Sequence, residues 1–108
     1  MAEIGEIEPA ALKQRLDRGD HLRLLDVREP EEIAIAPFPG ALEIPMGEIP
    51  SRLAGLDPGA ELVVVCHHGI RSAQVAIYLA RAGFDRVSNL TGGIDAWALE
   101  VDPATPRY

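Results

Sequence analysis

The chain's one cysteine, Cys66, opens the run Cys66-His67-His68-Gly69-Ile70-Arg71-Ser72, and the chemistry the sequence could perform converges there. A thiolate is a nucleophile, and it is also the form that can carry an extra sulfur as a persulfide. A short loop feeding a helix turns backbone N–H groups toward its own centre, and with the helix dipole these make an anion cradle that favours thiolate over thiol. Gly69 lets the chain bend tightly with no Cβ in the way. Arg71 adds a permanent cation able to fork onto a two-oxygen anion. His67 and His68 are charged only part of the time near neutral pH, so their help depends on pH.

Plainer readings exist for the same residues. A lone cysteine at the end of an apolar strand is most often an inert core residue. Adjacent histidines are commonly surface residues, and consecutive residues rarely complete a tetrahedral metal shell. The order strand–Cys–Gly–Arg–Ser–helix favours the reactive reading, because an inert cysteine needs no anion cradle. With one cysteine in the chain, an intrachain disulfide and a zinc site built on cysteine pairs are excluded.

The elements that must position this loop are legible from periodicity. Leu62-Val63-Val64-Val65, preceded by Glu61, is an unbroken apolar run, which predicts a strand buried on both faces of a parallel sheet. After the loop, Ser72 opens a helix with Val75, Ala76, Leu79 and Ala80 on one face, closed by Gly83. Upstream, Ile4 and Ile7 suggest a short edge strand, and Pro9 to Gly19 a helix. Leu22, Leu24, Leu25 and Val27 mark a strand ending near Asp26; Pro30-Glu31-Glu32 starts a helix, with both carboxylates read as a solvated first turn. Leu42 lies in a short strand, residues 46–56 have helical spacing, residues 86–90 form a strand, and Ile94 to Leu99 form a last helix. Strands alternating with helices predict an α/β fold.

Composition bounds the rest. The 108 residues fit one domain, 1–108, with a tail from about 101. Seventeen acidic residues against ten basic ones give a charge of -7, which argues against nucleic acid and anionic membranes as partners. No apolar stretch spans a bilayer and the N-terminus has no secretory pattern, so a cytoplasmic location is expected.

The loop resembles the active-site loop of single-domain rhodaneses, a family of sulfurtransferases. Leu25-Asp26-Val27-Arg28-Glu29-Pro30-Glu31-Glu32, Pro39-Gly40-Ala41 followed by Ile44-Pro45, and Gly92-Gly93-Ile94-Asp95-Ala96-Trp97 agree with it, so the likeness runs from about residue 4 to 108. Family members commonly carry a histidine ahead of the Pro-Gly-Ala turn; this chain has Ala36-Pro37-Phe38 there. The resemblance implies the rhodanese-like α/β fold, a mainly parallel sheet of about five strands with helices on both faces. It implies Cys66 as the residue that becomes a persulfide, His67, His68, Gly69, Ile70 and Arg71 as the substrate-binding loop, and Asp26, Arg28 and Ser72 as its support. Four residues separate Cys66 from Arg71, where related phosphatases have one more, so phosphatase activity is disfavoured.

The chemistry implied is attack by the Cys66 thiolate on the outer sulfur of a small anionic donor such as thiosulfate, or of a persulfide-bearing protein, followed by transfer to a thiol or cyanide acceptor. No metal or organic cofactor is required. A sulfur carrier and a non-catalytic protein-binding module are the alternatives. Trp97 is read as packing, and Tyr78 as lying off the apolar stripe of its helix.

Overall fold

The computed structural model describes residues 4–108. Five parallel strands form one sheet in the order β1-β5-β4-β2-β3: β1 (Gly5–Ile7), β2 (Arg23–Asp26), β3 (Leu42–Glu43), β4 (Leu62–Val65) and β5 (Val87–Leu90). Every residue of β4 is buried, as its unbroken apolar run demands of the central strand. Period-two alternation divides its side chains between two cores. Leu62, Val64 and then Cys66 face α3 (Ile49–Arg52) and α4 (Ile70–Arg81), against Ile49, Val75, Ala76 and Leu79. Val63 and Val65 face the other way, against Leu12 of α1 (Pro9–Asp17) and Ile94 and Trp97 of α5 (Gly93–Glu100).

This arrangement fixes where a site can form. The chain leaves β2 toward β3 and leaves β4 toward β5, so the connections from these adjacent strands run in opposite directions along the sheet. Open α/β sheets make their crevice outside the carboxyl ends of such a strand pair. Cys66 follows β4 there, and Val27 and Arg28 follow β2, in a register that pairs Asp26 with Val65.

Two stretches differ from the expected pattern. Residues 46–56 form a 3₁₀ turn, the four-residue α3 and a second 3₁₀ turn instead of one helix. Pro50, near the start of α3, has no N–H for the preceding turn and so keeps the two turns from merging. Helix α4 begins at Ile70, two residues before Ser72, because Gly69 takes a φ of 95° and completes the reversal by itself. Ile70 and Arg71 therefore belong to the helix's first turn. No described helix is long and apolar enough to cross a membrane.

Candidate active site

The thiol of Cys66 receives two donors. Gly69 N–H lies 3.1 Å from Sγ, and the Ser72 hydroxyl lies 3.2 Å from it. At 1% exposure the residue is nearly sealed, and its inner side belongs to the apolar core. The sulfur therefore meets one amide and one hydroxyl among the described residues, fewer amides than the loop's length suggested. The early start of α4 explains this: it commits the chain beyond Gly69 to helix and brings Ser72 over the sulfur from the first turn.

Ser72 is held in turn from β5. Its oxygen sits 2.5 Å from Asn89 Oδ1, while Asn89 Nδ2 donates to the Gly69 carbonyl at 3.1 Å and to the Glu6 carboxylate at 3.2 Å. Asn89 is 4% exposed, so a polar side chain inside a strand is fully used in fixing both groups that touch sulfur.

The backbone of the loop is fastened from the opposite face. Ile94 N–H donates to the Cys66 carbonyl at 2.9 Å and Asp95 N–H to the His67 carbonyl at 3.1 Å, so the N-terminus of α5 grips the loop. That approach needs Gly93: its φ is 65°, and a Cβ there would overlap the carbonyls of both Cys66 and His67.

Arg71 does not point into open space. Its guanidinium forks onto Glu32 of α2 (Pro30–Ile35), with bonds of 2.6 and 2.8 Å. This pair, chiefly through the Arg71 hydrogen bonds, brings the Glu32 carboxyl down to about 2. Glu32 also receives the Tyr108 hydroxyl at 2.9 Å, and that hydroxyl accepts from Arg28 Nη1 at 3.1 Å. Arg28, fully buried, is bound to Asp26 by contacts of 2.7 and 3.0 Å and donates to the Ala36 carbonyl at 2.8 Å. A continuous polar chain thus runs Asp26–Arg28–Tyr108–Glu32–Arg71.

The histidines differ from one another. His67 lies flat against the Tyr108 ring, with centroids 3.8 Å apart and planes 10° apart, and its Nε2 is buried without a hydrogen-bond partner. Burial, then the charge of His68, lowers its pKa from the ordinary imidazole value, so its cationic share near neutral pH is smaller than that of a free imidazole. His68 is exposed, 4.0 Å from Asp95, and Ile70 is 71% exposed. Trp97 packs against Phe38 at 5.0 Å, and Tyr78 is exposed.

The fold therefore brings Cys66, Gly69 and Ser72 together, keeps Asp26 and Arg28 as a buried pair linked to the loop through Tyr108, and leaves His68 and Ile70 outward. Glu32 corrects the sequence reading: it is no solvated helix start, because α4 presents Arg71 to it, while Glu31 is exposed. Asn89 and Tyr108 were missed altogether. A buried asparagine inside a short strand was the one signal available, since asparagine is depleted in strands and must be satisfied when buried. Tyr108 had none.

The arrangement puts a thiol against an amide and a hydroxyl within a loop fastened by its neighbours. Comparison with known proteins gives the family. The rhodanese-like domain family matches residues 8–100. YtwF of Bacillus subtilis, named as a candidate sulfurtransferase, is 45% identical over 94% of this chain and 97% of its own length. A sulfurtransferase of Allochromatium vinosum is 42% identical over 88% of this chain and 89% of its own. The crystal structure of a rhodanese-like domain protein from Staphylococcus aureus superposes with a TM-score of 0.83 at 32% identity, covering 97% of this chain and 99% of that one.

Proposed function

The chain belongs to the rhodanese-like domain family, and from that membership we propose that it moves a sulfane sulfur from a donor to a thiophilic acceptor through a persulfide on Cys66. The observation that carries this reading is the pair of donors at sulfur, Gly69 N–H at 3.1 Å and Ser72 O–H at 3.2 Å, within a loop fastened from both faces of the sheet. The Cys66 thiolate attacks the outer sulfur of the donor; the S–S bond of the donor breaks and its remaining fragment leaves with the electron pair. The acceptor, a thiolate or cyanide, then attacks the outer persulfide sulfur and returns Cys66 to the thiolate. In both steps negative charge gathers on sulfur where the two donors face it. Because this chain carries a single cysteine, it has no second thiol of its own to take the sulfur, which must pass to another molecule.

Intact-protein mass after incubation with thiosulfate or a small persulfide tests the reading. One added sulfur atom is expected in the wild type and none in Cys66→Ala. Turnover with cyanide then separates an enzyme from a carrier, which gains sulfur and releases it poorly. A chain that gains sulfur from neither donor is a binding module.

A further inference from the structure

Resting on the sulfur-transfer reading, we propose that Glu32 is a specificity-determining residue: by holding Arg71 it turns the site away from the thiosulfate dianion and toward persulfide donors, whose sulfur pair carries at most one negative charge.

Three arginines stand at the carboxyl edge of the sheet, all of them paired. Arg71 is forked onto Glu32 through both terminal nitrogens. Arg28 is buried and bound to Asp26. Arg107 is paired with Asp95 at 2.9 Å, beside His68. Each of these arginines already faces a carboxylate, and burial disfavours the cationic form of His67. A dianion arriving at the loop therefore meets compensated charge, and the chain's net charge of -7 adds repulsion at long range. The Tyr108 hydroxyl adds a further bond to Glu32, which keeps the carboxylate in place and ionised.

Access to sulfur works in the same direction. Cys66 is 1% exposed, and the outward side chains of its loop are His68 and the apolar Ile70. A persulfide offers a narrow two-sulfur arm, R–S–SH. Thiosulfate brings a sulfonate group one bond behind its outer sulfur, and placing that group at a buried thiol requires desolvating its charge where the described arginines at this edge are all paired. The favoured first step is R–S–SH + Cys66–S⁻ → R–S⁻ + Cys66–S–SH: the donor S–S bond breaks, a new S–S bond forms on Cys66, and the electron pair leaves on the donor thiolate. No external oxidant or reductant enters.

The test compares thiosulfate with hydroxyethyl persulfide, following sulfur uptake on Cys66 by intact mass, in the wild type and in Glu32→Gln. Glutamine keeps an acceptor for Arg71 and removes the charge. Uptake from thiosulfate should rise about tenfold in Glu32→Gln, with uptake from hydroxyethyl persulfide changing by less than about twofold. An unchanged donor ratio overturns the proposal, as does a wild type that takes sulfur from thiosulfate faster than from the persulfide. If Glu32→Gln does not fold, the salt dependence of the wild type decides. Thiosulfate uptake that accelerates between 10 and 150 mM salt, as the Debye length shrinks from about 30 to about 8 Å, supports the proposal; uptake that slows overturns it. Failure of the underlying sulfur-transfer reading looks different: the wild type then gains sulfur from neither donor.

Discussion

Ser72 Oγ lies 2.5 Å from Asn89 Oδ1, joining the first turn of α4 to the centre of β5 directly beside the reactive sulfur. A hydroxyl has one proton, so Ser72 donates either to Asn89 or to Cys66 Sγ at 3.2 Å. As charge develops on sulfur, the charge-assisted bond is the stronger of the two. Ser72→Ala should slow sulfur uptake roughly tenfold and also cost about 1–3 kcal/mol, because it strands the buried Asn89 Oδ1. Asn89→Ala should cost a similar amount, about 1–3 kcal/mol in urea unfolding, by stranding the Gly69 carbonyl, but with the smaller effect on rate, because the Ser72 hydroxyl then turns to sulfur alone. Single-turnover mass measurements and equilibrium unfolding on both variants check the division.

Gly93 carries a second prediction. Gly93→Ala should cost at least about 2 kcal/mol, since the new methyl meets two loop carbonyls and the residue keeps a left-handed φ. Gly47→Ala is the control: nothing lies within 4 Å of a Cβ there, and the change should stay within about 0.5 kcal/mol. Denaturant midpoints of the two variants provide the comparison.

Asp26 and Arg28 form a buried ion pair, their side chains 1% and 0% exposed. Removing one member leaves the other charge uncompensated. Asp26→Ala or Arg28→Met should each lose about 3–5 kcal/mol by chemical unfolding, and the double variant less than the sum. Equal additivity would show that the pair is not coupled.

Acid should weaken the fold through two named groups. The Glu32 carboxyl lies at about 2 in the folded chain against an ordinary value near 4.5, chiefly because of Arg71. A lowered acid contributes stability that is complete above 4.5 and disappears as pH falls toward 2. His67 is also lowered, by burial first, so its contribution is complete above the ordinary value of 6.5 and declines as pH falls below it. Unfolding midpoints from pH 8 to pH 3 should therefore fall in the wild type. The advantage over Glu32→Gln should be constant above pH 4.5 and shrink below it; a gap that widens in acid contradicts the assignment.

The sheet and the loop were readable because their signals are local. The apolar run before Cys66, the glycine after it and the stripe through Val75 and Leu79 each lie within one element, and each appears where periodicity put it. The polar chain around the site was not readable. Glu32 and Arg71 are 39 residues apart, and Tyr108 is 76 from Glu32, so their meeting depends on which helix faces pack together. Glu32 was further disguised, since its bond to Glu29 N–H at 3.1 Å already explains a glutamate at that point of α2. Arg71 was expected to fork onto an anionic donor; in the fold its guanidinium forks onto Glu32, a carboxylate of the same chain.

The outward turn of His68 and Ile70 has a practical consequence. Between the sealed cysteine and the buried serine, Ile70 is 71% exposed, and His68, though exposed, rests its ring on His67 with centroids 3.9 Å apart. A protein engineer can therefore vary Ile70 to court new docking partners while the buried floor of the loop stays untouched, whereas His68 is tied to the stack below it.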